Sequence, residues 1–224
     1  MDLNTVDFEV ILRSGVGRLL YRGEEGCILA EEDGTVMSDI LDGKTLCDRL
    51  HALGISKLDL AEVKSEDARL ALEREFGLNG RNPCTQWVYC RQEPPEYPAC
   101  DIRPLTMDYA QAAGEQYHQY YGYVRERIAA GCMWGVFEDG KLAGFIGTHT
   151  EGAMGLLEIL PAYRRRGFGY AMGAFLIGRQ LKEGVIPYCH VIDGNEASLH
   201  LQKKLGMQKA ELPAIWCWAE ESEL

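Results

Sequence analysis

Apolar residues recur at helical spacing at the start of the chain (Leu3, Val6, Val10), and short strand-like runs follow at 18–21, 26–31 and 35–38. The pattern then predicts helices over 44–53 and 65–76. The second opens on Ser65 followed by Glu66 and Asp67, a residue order suited to a helix N-terminus. A strand is predicted at 85–90. Three prolines fall within five positions at Pro94, Pro95 and Pro98, which favours an extended linker over helix or strand. Beyond it the pattern gives a strand at 101–105, helical sequence from 107 to 129, and two strands at 133–138 and 141–148. Asp139-Gly140 joins these two as a tight hairpin, because a type I′ turn needs positive φ at both positions. A strand at 155–160 stops at Pro161. A helix over 168–182, a strand at 186–191, a helix at 198–205 and strands at 207–211 and 214–219 complete the chain. Strand and helix alternate, so the class is α/β (α+β) with a mixed sheet. The linker divides the chain into an N-terminal α/β domain, 1–97, and a second domain, 98–224. Asp33-Gly34 also lies between strand-like runs, as Asp139-Gly140 does. The first half is either a degenerate copy of the second or simply another α/β segment with an Asp-Gly turn.

Composition narrows the class of partner. With 224 residues, 46% hydrophobic and 25% charged, the chain is neither disordered, collagenous nor a coiled coil. Its net charge of −11 gives no global field for nucleic acid or an anionic membrane surface. The charge is uneven: residues 1–97 carry −8 and residues 98–224 carry −3, while residues 159–182 hold four Arg and one Lys with no acid at all. An anionic ligand is expected there. The eight cysteines show no CxxC and no partnered His spacing, so neither a zinc site nor a disulfide framework is expected, and no metal is assigned. No basic and apolar leader opens the chain, and no apolar run reaches the ~18–20 residues of a membrane span. The expected compartment is the cytoplasm.

The chemistry is concentrated in Leu156-Leu-Glu-Ile-Leu-Pro-Ala-Tyr-Arg-Arg-Arg-Gly-Phe-Gly-Tyr-Ala171. An apolar strand ends at a proline, and three arginines and two glycines lead into an amphipathic helix. A helix N-terminus presents unpaired N–H groups and about half a positive charge. Glycines at 167 and 169 let a phosphate approach that backbone, and the arginines add bidentate donors. The segment is not a P-loop, since GxxxxGK[ST] and the third glycine of GxGxxG are both missing. From these residues alone, a phosphate site and a solvated arginine cluster before a well-packed helix are equally good readings.

The wider pattern resembles the coenzyme A loop of the GNAT superfamily of acyl-CoA-dependent N-acyltransferases. Its [QR]xxGx[GA] motif after a strand ending in VxP appears as Ile159-Leu-Pro161 and Arg164-Arg-Arg-Gly167-Phe-Gly169. A second motif, NxxSxxLYxKxGF, appears as Asn195, Ser198, Leu201, Gln202, Lys204, Gly206 and Met207. The resemblance covers about residues 100–219, and with an upstream domain it looks most like the glycine N-acyltransferase-like branch. It implies a GNAT fold whose mixed sheet is splayed between its fourth and fifth strands, with an N-terminal degenerate GNAT-like half. It implies acetyl-CoA or another acyl-CoA as co-substrate. The pyrophosphate would lie on Arg164, Arg165, Arg166, Gly167, Phe168, Gly169, Tyr170 and Ala171, and the pantetheine arm would pair with backbone near Ile159. Asn195 and Ser198 would contact the arm or the loop that holds it, or else cap the following helix.

For the chemistry, Glu158 is the first candidate to take the proton of the attacking amine. It is an acid inside an apolar strand, where burial would raise its pKa. Glu151, at the strand entrance, is the second. Where many relatives carry a tyrosine that protonates the departing thiolate, this chain has Gln202, so that proton comes from water, Tyr188 or His190. Tyr117, Tyr120, Tyr121 and Tyr123, with Arg125 and Arg127, form either an acceptor pocket for an amine bearing a carboxylate or ordinary helix packing. The resulting expectation is transfer of an acyl group, most simply acetyl, to the primary amine of a small molecule or amino acid by direct attack in a ternary complex. The alternatives are a non-catalytic acyl-CoA sensor and, third, a protein N-acetyltransferase.

Overall fold

The computed structural model describes residues 1–116 and 121–220. They form two compact units. The first comprises Met1–Val88, His190–Glu196 and the chain from Lys209 onward; the second comprises Tyr89–Cys189 and Ala197–Gln208.

In the first unit the elements run α1 (Val6–Ser14), β1 (Gly17–Gly23), β2 (Gly26–Glu31), β3 (Val36–Ser38), α2 (Gly43–Ala52), β4 (Leu60–Val63), α3 (Glu66–Phe76) and β5 (Gly80–Val88). Asp42 and Ser65 cap α2 and α3 by accepting the backbone N–H groups of Thr45 and Ala68. β2 is apolar almost throughout because it is covered on both faces. Ile28 and Ala30 pack with Val36, Leu46, Leu50 and Leu72, whereas Cys27 and Leu29 pack with Phe8, Ile11 and Met37. The sequence pattern missed β4, which is only four residues long and carries a buried Glu62 at its centre.

The second unit holds β6 (Asp101–Pro104), a 3-10 turn (Met107–Tyr109), α4 (Ala110–Gln116), α5 (Tyr121–Ala129), β7 (Met133–Glu138), β8 (Lys141–Thr148), β9 (Met154–Ile159), a 3-10 turn (Pro161–Tyr163), α6 (Phe168–Lys182) and α7 (Glu196–Leu205). Asp139 and Gly140 take φ of 48° and 76°, the double positive φ expected of their turn. Strands β6 to β9 form an antiparallel four-stranded sheet in that order. Its core joins Leu105, Val124, Ile128, Met133, Phe145 and Leu156. The predicted helix at 168–182 is α6. Small residues let it sit close to its neighbours: a Cβ on Gly173 would come within 2.7 Å of Leu205.

Two further strands, β10 (Tyr188–Ile192) and β11 (Gln208–Trp218), belong to a seven-stranded mixed sheet of order β1-β2-β3-β4-β11-β5-β10. The two strands expected at 207–211 and 214–219 are thus one, running through Pro213. Both stretches of chain repeat the order α-β-β-β-α-β-α-β. The repeat pairs β1, β2, β3, α2, β4, α3 and β5 with β7, β8, β9, α6, β10, α7 and β11. Asp33-Gly34 and Asp139-Gly140 fall in non-equivalent turns of it, so the repeat is carried by element order and not by that dipeptide. The final strands are exchanged. β11 lies beside β4, and β5 lies beside β10.

The two copies also differ where their third and fourth strands meet. β3 and β4 are hydrogen-bonded in parallel, with Val36 opposite Ala61 and Ser38 opposite Val63. Their equivalents β9 and β10 belong to different sheets, and β9 ends the four-stranded one. Among the described residues no helix is long and apolar enough to cross a membrane.

Candidate active site

β9 is bent before it ends. Its pairing with β8 slips between Phe145 and Gly147, and Leu156 has a φ of 52°, a costly conformation for a branched side chain. Such a bulge bends the strand and raises its local twist. After Ile159 the 3-10 turn at Pro161 reverses the chain. Arg165 (φ 65°) and Gly167 (φ 90°) then set the entry to α6. Gly167 is the N-cap and supplies no side-chain acceptor, so the N–H groups of Phe168, Gly169 and Tyr170 start the helix without a side-chain cap. Ala171, by contrast, is buried, and its N–H bonds Gly167 O at 3.1 Å.

The three arginines are not equivalent. Arg164 donates to Ile159 O at 2.9 Å and to Glu158 Oε1 at 2.8 Å. Arg166 pairs with Glu138 at 2.5 Å and lies over the rings of Tyr163 and Phe168. Arg165 has no partner among the described residues and is exposed. Two arginines therefore build the turn, and the third takes no part in it.

The equivalent helix start in the first unit is closed. At α2, Asp42 accepts the Thr45 N–H, and Asp67 Oδ2 accepts the Gly43 N–H at 2.7 Å. Carboxylates already occupy the place a phosphate would take. With β3 and β4 zipped together as well, this copy offers neither an anion cradle at α2 nor a gap beside β3.

At the other end of β9 the connecting turn is held from several sides. Tyr188 donates its hydroxyl proton to Glu151 O at 2.9 Å, and Gln180 donates to Gly152 O at 2.8 Å. Arg127 bonds Thr148 O and His149 O at 2.8 and 3.1 Å. Its Nε and Nη2 thus serve the backbone of this turn. Glu151 thus sits on a fixed turn. Glu158 is less buried than expected: 26% of its side chain is exposed, and it is paired with Arg164. Tyr121 and Arg125 lie on the exposed side of α5, whereas Tyr117 and Tyr120 fall outside the described residues.

Tyr188 and His190 have different surroundings. The Tyr188 side chain is fully buried in the second unit. His190, in the first, bonds Gln86 Oε1 through Nε2 at 2.7 Å and accepts from Trp216 Nε1 at Nδ1, 3.1 Å away. Asn195 is exposed beside the start of α7, and Ser198 lies within α7, where its Oγ accepts from Gln202 Nε2 at 3.3 Å. Gln202 is itself buried.

Two groupings escaped the sequence reading. One is Tyr123 stacked on His149, with ring centroids 5.8 Å apart and the hydroxyl 3.1 Å from Nδ1. Gly147 and Gly155, facing each other in adjacent strands, were the available signal for such close packing. The other is a buried cluster in the first unit. Lys64 Nζ lies 2.5 Å from Asp7 Oδ2 and 2.8 Å from Glu62 Oε1. His190 Nε2 is 3.6 Å from Asp7. Asp7, Glu62 and His190 offer ligand atoms within 4.8 Å of one another, but the Lys64 ammonium already stands between the two carboxylates as a fixed cation.

Comparison with known proteins bears on the fold. Residues 99–207 match the acetyltransferase (GNAT) family, a span that includes both sequence motifs. No curated protein sequence matches the chain. Among solved structures, a Drosophila protein superposes with a TM-score of 0.66 at 16% identity, over 96% of this chain and 87% of that one. A GCN5-related N-acetyltransferase from Kribbella flavida gives 0.56 at 12% identity, over 99% and 95%. A GNAT-family acetyltransferase from Colwellia psychrerythraea gives 0.53 at 16%, over 91% and 85%. At these identities the likeness speaks for the fold, which is the α+β GNAT fold with an extra N-terminal sheet. The chain thus has the α+β GNAT fold, and residues 99–207 are similar to the acetyltransferase (GNAT) family.

Proposed function

We propose that the protein is an acyl-CoA-dependent N-acyltransferase that moves an acyl group, most simply acetyl, to the primary amine of a small molecule or amino acid. The observation that carries this reading is the contrast between the two repeats. The same helix start is sealed by Asp42 and Asp67 in the first and left open beside Arg165 in the second. The pyrophosphate would take the N–H groups of residues 168–170 and the Arg165 guanidinium, and the pantetheine arm would pair with the backbone of β9 near Ile159. The amine would attack the thioester carbon directly. Glu158, or Glu151 on its fixed turn, would receive the amine proton, and the coenzyme A thiolate would leave. Gln202 cannot supply the thiol's proton and Tyr188 directs its own to Glu151 O, so water is the natural donor. The glycine N-acyltransferase-like branch, with residues 1–97 as its degenerate half and 98–224 as its working half, is the finer form of the same proposal.

Calorimetric titration with coenzyme A tests the cofactor site. Gly169 has room for a side chain, its nearest neighbour to an added Cβ being Ile159 at 3.7 Å. Gly169→Glu should therefore fold yet lose at least 100-fold in affinity, because it sets a carboxylate among the phosphate-binding amides. Unchanged affinity would remove the site. For the base, Glu158→Gln should lower kcat by ~10²–10⁴-fold. Equal turnover at every pH would take that role away from Glu158.

The buried Gln202 favours one rival, an acyl-CoA sensor without turnover. Thiol release measured over a panel of amines and amino acids separates the two, since a sensor binds coenzyme A and releases nothing.

A further inference from the structure

His149 follows β8 and opens the turn to β9. The Tyr123 hydroxyl oxygen accepts the Thr150 N–H at 3.2 Å and stands 3.1 Å from His149 Nδ1. Among the described residues Nδ1 is the only acceptor for that hydroxyl's proton. A hydroxyl proton given to Nδ1 leaves the imidazole with its own proton on Nε2. Nε2 lies over the backbone of Gly155, where any Cβ would collide with it, and Gly155 faces Gly147 across the ladder. Two glycines thus make the space in which a single N–H is presented on β9, one residue before the bulge at Leu156.

The groups around this imidazole keep it neutral. Burial, and then the Arg127 guanidinium of α5, hold its pKa down at about 4. Glu151 lies two residues further along the turn, and Tyr123 stacks on the ring. A neutral imidazole whose Nδ1 is taken has one function left, to donate from Nε2 to an oxygen. Enzymes use such groups where negative charge develops on a carbonyl.

We propose that His149 is a catalytic residue that donates an Nε2–H hydrogen bond to the thioester oxygen during acyl transfer. This rests on the acyltransferase reading. An arm paired with β9 at Ile159 and running back along the strand covers about 13 Å by Gly155, which brings its reactive end to the bulge and the imidazole. As the amine nitrogen bonds to the acyl carbon, the carbonyl π pair moves onto oxygen. Nε2–H holds that oxyanion without giving up its proton. The pair then returns, the C–S bond breaks, and coenzyme A departs as thiolate.

The test is steady-state thiol release from acetyl-CoA by wild type, His149→Phe and His149→Gln, with thermal unfolding as the check on folding. The phenylalanine removes the donor and should lower kcat by ~10²–10³-fold, with KM for acetyl-CoA within twofold of wild type. Glutamine returns an N–H near the position of Nε2 and should recover at least tenfold of that loss. All three should share one shape of pH–rate profile, because a neutral donor does not titrate. A His149→Phe kcat within threefold of wild type overturns the proposal. So does an effect confined to KM, or loss of a limb of the profile between pH 5 and 8, which would mark proton transfer instead. If the phenylalanine variant does not fold, Tyr123→Phe replaces it: freeing the tautomer should cost at least tenfold in kcat, and no change overturns the assignment. A wild type that binds coenzyme A but turns over no amine removes the acyltransferase reading and this role together, whereas an active wild type with an active His149→Phe removes the role alone.

Discussion

A chain shortened to residues 98–224 is expected not to fold, although it contains the whole span that matches the family. β11 runs between β4 and β5, and β10 lies on the other side of β5. Removing residues 1–97 takes away both neighbours of β11 and the partner of β10. Ala214, Ile215 and Cys217 of β11 are almost completely buried, and Ile215 and Cys217 sit in the cluster with Ile28, Val63 and Leu72. Exposing a side chain such as Ile215, or its partners Ile28, Val63 and Leu72, costs roughly 1.5–3 kcal/mol each, against a total stability of about 5–15 kcal/mol for a typical domain. Unpaired strand edges add an aggregation hazard. The measurement is soluble yield, near-ultraviolet circular dichroism and coenzyme A titration of the shortened chain. A cooperative thermal transition together with retained coenzyme A binding would show that the second half stands alone.

Lys64→Met should be the most damaging single substitution outside the active site. Its ammonium is sealed in the first unit between Asp7 and Glu62, with Phe8 beneath it. Taking one partner from a buried ion cluster leaves uncompensated charge, at a cost of about 3–5 kcal/mol. Equilibrium urea unfolding reads this directly, and a loss under 1 kcal/mol would contradict it. The same cluster makes stability depend on pH. At Asp7, burial pushes the pKa upward, but Lys64 and His190 outweigh it and hold the carboxyl well below its usual range. Its contribution is present above about pH 4 and is lost as the pH falls further. At Glu62, burial dominates and raises the pKa well above the model-compound value of 4.5. There the folded state holds its proton more tightly than the unfolded one, so stability declines as pH rises above 4.5. The depressed pKa of His149 acts in the opposite sense between pH 5 and 8 but is common to wild type and variant. Relative to wild type, Glu62→Gln should therefore be more favourable at pH 8 than at pH 5, and an equal stability change at both would place the effect elsewhere.

Much of the second unit was legible because its elements obey local rules. Double positive φ at Asp139-Gly140 and the Pro161 stop after an apolar strand each fix structure within a few residues, as does the Arg-Gly entry to α6. The proposed coenzyme A loop was readable for the same reason, since its amides, glycines and arginines are contiguous. What the sequence did not reveal depends on distant partners. β4 carries Glu62 where an apolar residue was looked for, because the cation that makes its burial tolerable is contributed by Lys64 within a cluster shared with Asp7 on α1. Nothing local distinguishes Arg165 from Arg164 and Arg166; the difference arises from Glu158 and Glu138, on β9 and β7. His149 likewise gains its meaning from Tyr123, 26 residues earlier, and from the missing side chain at Gly155.

The exchanged final strands bear on the order in which the protein can be made. The first repeat reaches the end of its own sequence at β5, but the place beside β4 stays empty until β11, more than a hundred residues later, has left the ribosome. Until then β4 presents an open edge with apolar neighbours. Sheets closed by such remote segments form slowly, because the entropy of closing the long loop must be overcome before any pairing rewards it. The nascent chain therefore passes through a prolonged stage as an unfinished sheet, the stage at which a chaperone would engage it and at which aggregation competes with folding.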